Sequence, residues 1–301
     1  MKFDGVLFFP VTAYSDAGEV DVAMTAEHIA SRLEFAPGGV FAACGTGEFH
    51  ALSATEATSV VRSAVDVVGG SVAVIAGTGG PLGHAAECAR GAADAGADAL
   101  LVLPPYLVGH SIEGTLAYVD AVLAASDLPV IVYHRGSATL TRDAVQRLVE
   151  NERVIGLKDG VGDVGLAHEI ARIVENSGRD DLSLFNGLLT AELTQEAYRA
   201  IGVPLYSSAA FAMVPEVSAA FYRAYAAHDD ARCAELIDGF YRPLVRLRDE
   251  VPGYAVSLVK AGVRLGGLPV GSVRAPLTDP TPEHLVELER IIDAGKGLVS
   301  A

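Results

Sequence analysis

The sequence predicts an α/β protein, a (β/α)8 TIM barrel with a C-terminal helical extension, in which residues 1–212 form the barrel and 213–301 the helices packed on it. Three observations lead there. Eight short apolar segments recur along the chain, helix-like segments separate them, and the first lacks the glycine fingerprint of an open nucleotide-binding sheet. Segments that are apolar throughout, without strict alternation, are strands covered on both faces, as in a parallel sheet. Their starts lie about 22 to 34 residues apart, the length of one strand–helix unit of a closed barrel.

The strands are expected at 5–12, 39–48, 71–79, 99–106, 129–135, 154–160, 182–187 and 204–210. Between the first two, Met24, Ile29 and Leu33 recur at helical spacing over 21–35. Ser53 and Glu56 read as a capping box opening a helix that runs to about Val68. Pro81 suits the first turn of the alanine-rich helix ending near Ala95. Further helices are expected at 111–126, 141–150, 163–177 and 190–201, and only helices after residue 210, at 215–227, 230–249, 254–265 and 281–295. A doubly wound sheet is the alternative, but Phe9-Pro10-Val11-Thr12 is no phosphate-binding turn. Gly77-Thr78-Gly79-Gly80-Pro81 has no Gly-Lys-Ser/Thr after it and reads as a plain turn.

The formal net charge of −16, with no run of Lys or Arg, excludes nucleic acid and an anionic membrane surface as partners. Cys44, Cys88 and Cys233 are odd in number and far apart, which argues against a disulfide framework and for a reducing compartment. The opening MKFDGVLFFP lacks the features of a signal peptide, and no segment is long enough to span a bilayer. The expectation is a soluble cytoplasmic protein. His84 with Glu87, and His168 with Glu169, lack a third ligand, so no metal is expected. Neither a Gly-x-Ser-x-Gly elbow nor an activated cysteine is present, which sets aside hydrolases of those types.

Barrel enzymes assemble their sites at the C-terminal ends of the strands. Lys158 lies there, its stem among Val154, Ile155 and Leu157. Loss of solvation lowers a lysine's pKa and frees its amine to form a Schiff base with a ketone. A strand-end lysine reaching out to water is the plainer alternative. Tyr133 ends the neighbouring strand, so phenol and amine are expected to converge on one carbon, the phenol passing protons or holding a carboxylate. Gly45, Thr46 and Gly47 offer successive backbone amides as a nest for a carboxylate, with Glu48 anchoring the turn. Asn186, Gly187, Ser207 and Ser208 complete a rim fitted for carbonyl chemistry without a metal or redox cofactor.

Taken together, FPVT (9–12), AACGTGEF (42–49), IAGTGGP (75–81), LLVLPPYL (100–107), IVYHR (131–135), GLKDG (156–160), PLYSSA (204–209), GYAVSLVKAG (253–262) and RAPLTD (274–279) resemble the dihydrodipicolinate synthase and N-acetylneuraminate lyase superfamily of Schiff-base barrels. The likeness covers nearly the whole chain and is strongest to a branch of decarboxylating dehydratases. It implies Lys158 as the Schiff-base lysine, Tyr133 as the catalytic tyrosine, and Gly45 with Thr46 as the site of the α-keto carboxylate. It also implies a sugar-derived keto diacid as substrate and a homo-oligomer, a tetramer or dimer. Asn186, Ser207, Ser208 and Arg135 are then candidates for the far hydroxyls and carboxylate, and Tyr106 for completing the site or reaching across a subunit contact. The chain departs from the pattern at Gly45, where the synthases and lyases carry a second hydroxyl, and at Cys44 and His134, where the dehydratase branch has glycine and asparagine. A pyruvate-dependent aldolase or synthase is the second reading, and a non-catalytic α-keto acid binder the third.

Overall fold

The computed structural model describes residue 1 and residues 3–300. Strands β1 (Leu7–Phe8), β2 (Gly39–Ala42), β3 (Val74–Gly80), β4 (Ala99–Pro105), β5 (Val130–His134), β6 (Val154–Asp159), β7 (Ser183–Asn186) and β8 (Leu205–Ser208) pair in chain order, all parallel, and β8 closes on β1. All eight expected strands are present. They are shorter than their apolar segments because the ends curl into the turns that build the rim.

Alternation along each strand divides the core in two. Leu7, Phe9, Phe41, Ile75, Leu101, Ile131 and Phe185 fill the barrel, while Phe8, Val40, Val74, Leu100, Val132 and Tyr206 belong to the layer beneath the helices. Lys158 pairs with Tyr133 across β5 and β6 and with Phe185 across β6 and β7. The β5–β6 register slips between Val130 and Ile131, pairing Ile131 with Gly156. Such a bulge resets the phase of the strand, and beyond it Leu157 joins the outer layer while Lys158 turns inward over the ring of Phe9.

The barrel helices are α1 (Val22–Leu33), α2 (Ala54–Val68), α3 (Leu82–Ala95), α4 (Ile112–Ala125), α5 (Arg142–Val149), α6 (Val164–Asn176) and α7 (Gln195–Ala200). Side-chain caps from Asp21, Ser53, Ser111, Thr141 and Asp163 fix where five of them begin. At Ser53 both hydrogen bonds of the expected box with Glu56 form. Pro81 stands one residue before α3 rather than in its first turn. The expected turn at 77–80 is instead the end of β3. Glycine is needed at residue 77 because a Cβ there would lie 2.1 Å from the carbonyl oxygen of Ala43.

After β8 come α8 (Ala210–Met213), α9 (Pro215–Ala226), α10 (Asp230–Leu236), α11 (Arg242–Arg248), α12 (Tyr254–Leu265) and α13 (Pro282–Val299). The expected division after residue 212 falls within α8, and α9 packs on β8 through Phe221 and Tyr225 against Tyr206. The helix expected over 230–249 is interrupted by a π-turn at Ile237–Tyr241. Pro243 has no N–H to give the carbonyl four residues back, and a widened turn accommodates that loss. Among the described residues, no helix is long and apolar enough to cross a membrane.

The C-terminal helices are tied to the rim by a fully buried ion pair. Lys260 Nζ on α12 lies 2.7 Å from Glu48 Oε1 in the turn after β2, and the Arg274 amide donates to Glu48 Oε2 at 2.8 Å. Glu48 thus takes the anchoring role expected of it.

Candidate active site

A cavity of about 610 Å³ opens at the C-terminal end of the barrel. Lys158 is 5% exposed, and its Nζ sits 4.1 Å from the centroid of the Phe9 ring and 4.6 Å from that of Tyr133. Glycine at residue 187 makes room for it, since a Cβ there would come within 2.5 Å of Lys158 Cε. Burial away from water lowers the amine's pKa to about 7. A Cys44 thiolate would oppose this, but burial pushes that thiol up to about 12, so at neutral pH it carries no charge. The Arg135 guanidinium adds to the lowering. Lys158 therefore holds a large fraction of free amine at neutral pH, a condition for attack on a ketone.

The Tyr133 phenol donates to the Gly187 carbonyl at 2.7 Å and accepts from Arg135 Nη1 at 2.8 Å. Burial raises its pKa, against the pull of Arg135, so it keeps its proton near the amine. Its ring fits because residue 160 is glycine, where a Cβ would lie 2.7 Å from Tyr133 Cε2. Next to this pair, His134 and Asp159 face outward. The His134 Nδ1 accepts from the Leu140 amide at 2.8 Å, and Asp159 accepts from the Val161 amide at 2.9 Å and the Tyr198 hydroxyl at 2.5 Å. They fix the turns behind Tyr133 and Lys158.

Gly45 and Thr46 line the cavity. In their turn the Glu48 and Phe49 amides donate to Gly45 and Cys44 carbonyls. Among the described residues, the amides of Gly45 and Thr46 have no backbone acceptor and are available to an anion. A Cβ at Gly45 would meet nothing within 4 Å, so glycine there enlarges the cavity rather than relieving a clash.

The other expected site residues divide by the pleat. Gly187 and Ser207 line the cavity, whereas Asn186 and Ser208 are turned to the other face and are fully buried. The Asn186 amide donates to Ala191 O, Thr194 Oγ1 and Gln195 Oε1, shaping the turn after β7. Ser208 Oγ donates to Glu192 Oε1 at 2.5 Å. Gly47 lies against the turn that follows β1, its carbonyl accepting from Thr12 Oγ1 at 2.7 Å. Tyr106, 60% exposed, stands on the outer rim beside exposed Leu107 and Val108, outside the cavity lining.

Several lining residues escaped the sequence reading, Glu192 and Arg248 among them. Glu192 is buried with Oε2 unpartnered, and burial raises its carboxyl to about 7. Arg248, at the end of α11, reaches the cavity from the extension. Neither lies in a motif, and only tertiary packing brings them there. Among the described residues, no three His, Cys, Asp or Glu side chains gather as a metal would require.

Residues 2–295 match the dihydrodipicolinate synthetase family. A Streptomyces coelicolor protein named probable 5-dehydro-4-deoxyglucarate dehydratase 1 is 50% identical over 98% of this chain and 94% of its own length. One from Pseudomonas entomophila, named probable 5-dehydro-4-deoxyglucarate dehydratase, is 42% identical over 96% of this chain and 94% of its own. Among solved structures, dihydrodipicolinate synthase from Oceanobacillus iheyensis superposes with a TM-score of 0.88 at 23% identity, covering 98% of this chain and 97% of that one, a likeness of fold.

Proposed function

The chain belongs to the dihydrodipicolinate synthetase family, and we propose that within it the protein is a 5-dehydro-4-deoxyglucarate dehydratase, converting 5-dehydro-4-deoxy-D-glucarate to 2,5-dioxopentanoate with loss of water and CO2. One observation carries the reading: a buried lysine lining the cavity, its pKa lowered to about 7 by burial, in a chain half identical to proteins bearing that name. That shared name favours dehydration with decarboxylation over a pyruvate-dependent aldolase or synthase.

In the substrate, the ketone lies between a carboxylate and a methylene, followed by two hydroxyl-bearing carbons and a second carboxylate. The Lys158 amine adds to the ketone carbon, and loss of water leaves an iminium. The Tyr133 phenol, held between Gly187 and Arg135, is placed to give and retake the proton of that step. The iminium acidifies the methylene, and transfer of one of its protons to a base forms an enamine. The enamine expels the hydroxyl of the next carbon, which leaves as water after protonation. The resulting unsaturated iminium accepts the electron pair of the bond to the far carboxylate, which departs as CO2. Two protonations on carbon and loss of the enol proton give an aldehyde and an iminium, and hydrolysis of the iminium frees Lys158. These steps call for no redox group or metal.

Support for each role is local. Gly45 and Thr46, with their unpaired amides, suit the carboxylate beside the ketone. Gly187 makes room for the lysine, and Ser207 offers a hydroxyl on the same wall. The reading includes a homo-oligomer, a dimer or tetramer, in which Tyr106 would complete the site of a second copy. It includes a cytoplasmic location, consistent with three free, buried cysteines.

Incubation with the keto diacid is expected to release CO2 and 2,5-dioxopentanoate in equal amounts. Added cyanoborohydride is expected to leave a reduced adduct on Lys158, read by peptide mass. Pyruvate without CO2 would hand the protein to the aldolase reading.

A further inference from the structure

The chemistry above explains one end of the substrate and leaves the other without a counter-charge. A keto diacid carries two negative charges into a chain whose own formal net charge is −16, so the cation that receives the far carboxylate has to be local. Besides Lys158, the Lys and Arg side chains lining the cavity among the described residues are Arg135 and Arg248. Arg135 is bonded to the Tyr133 hydroxyl at 2.8 Å and its guanidinium lies 5.7 Å from the centre of that ring, which places it at the ketone end.

Arg248 comes from a different part of the fold. Its side chain is 15% exposed, and Nη1 donates to Thr190 Oγ1 at 2.8 Å. Thr190 lines the same cavity in the turn after β7. It adopts the left-handed conformation, with φ of 51°, which is rare for a β-branched residue and is kept where the surroundings require it. The other edge of the guanidinium meets Asp249, Nε to Oδ1 at 2.8 Å. A planar fork clamped on two sides is pre-organised for a planar carboxylate.

We propose that Arg248, held by Thr190, receives the far carboxylate of the keto diacid and so selects 2-oxo diacids over 2-oxo monoacids. This rests on the substrate reading above and extends it to a residue outside the barrel strands. A carboxylate that must leave as CO2 should not be gripped too firmly in the ground state. Asp249 answers that requirement, because its charge on the same guanidinium weakens the grip while the fork still sets the angle of the bond that breaks.

The test is the concentration at which cyanoborohydride half-traps Lys158, measured by intact mass with two compounds: the keto diacid, and the monoacid of equal length in which a CH2OH replaces the far carboxylate. In wild type the diacid is expected to trap at about tenfold to a hundredfold lower concentration, as a charge-assisted fork provides. In Arg248→Gln the ratio should fall to about unity through weaker trapping of the diacid. Should that variant not fold, Arg248→Lys keeps the stem and charge but loses the fork, and its ratio should fall at least about threefold. A wild-type ratio near one, an unchanged ratio in the folded variant, or no adduct with either compound overturns the proposal. Because trapping reads binding and not turnover, a diacid that is trapped selectively but releases no CO2 refutes the dehydratase reading and leaves Arg248's role standing.

Discussion

Replacing Lys158 with methionine tests the central electrostatic claim without any substrate. Methionine keeps the length of the stem against Phe9 and Tyr133 but cannot be charged. The amine's pKa is about 7 in the folded protein against 10.5 for a free lysine, so between those values the unfolded chain binds a proton that the folded one does not. Stability contributed by this site therefore rises with pH from just below 7, and the penalty of burying an ammonium is fully present at lower pH. From pH 6 to pH 9 the gain integrates to about 2 pH units, on the order of 3 kcal/mol. Lys260, lowered to about 8 by burial, acts in the same direction but is present in both proteins and cancels. Urea unfolding of wild type and Lys158→Met at the two pH values is the assay. The variant's stability relative to wild type is expected to be higher at pH 6 than at pH 9 by about 3 kcal/mol. In parallel, wild-type kcat/KM should climb with pH and level off above about 7, because only the neutral amine attacks. A stability gap that moves by less than about 0.5 kcal/mol, or an activity profile still rising towards pH 10, would refute the claim that burial holds this lysine uncharged.

Gly187→Ala would place a Cβ 2.5 Å from Lys158 Cε and 2.8 Å from the Asp159 carbonyl. Displacing the amine should lower kcat/KM about 100-fold at a stability cost of about 1–3 kcal/mol, and wild-type turnover would show that the lysine does not depend on this gap. Lys260→Met strands Glu48, itself fully buried, and should cost about 3–5 kcal/mol by urea unfolding. Adding Glu48→Gln should recover part of that loss, and a single-variant cost below about 1 kcal/mol would mean the pair does not anchor the rim.

The barrel was legible because eight strands buried on both faces leave eight apolar segments, a signal that survives errors in where each begins. What those segments do not reveal is phase. The sequence offered Asn186 with Gly187 and Ser207 with Ser208 as neighbouring candidates, and a pleated strand can present only one of each pair to the cavity. Gly187 and Ser207 face it, while Asn186 and Ser208 point to the other face and bond to the segment after β7, at Thr194 and Glu192. At β6 the phase also depends on a bulge, for which the isolated Gly156 in Val154-Ile155-Gly156-Leu157 is the one local sign. Gly77 to Gly80 reads as a turn because glycine serves both turns and close strand contacts, and at Gly77 and Gly79 the second cause operates, while Gly80 ends the strand with a positive φ.

The residues that stayed illegible share a physical reason. Arg248 and Glu192 gain their meaning from contacts across the fold, in a region whose helical pattern looked like mere packing. The extension nevertheless enters the site twice. Lys260 holds Glu48, and with it the turn that carries the Gly45 and Thr46 amides, while Arg248 and Tyr254 form part of the cavity wall. Under the proposed function, carbon–nitrogen chemistry would sit on β5 and β6, where register brings amine and phenol together. Recognition of the remainder of the substrate would then fall to the turns after β7 and β8 and to α11 and α12. Such a division lets one reactive centre serve many keto acids, since the far wall can change without disturbing the strand pair that makes the amine reactive.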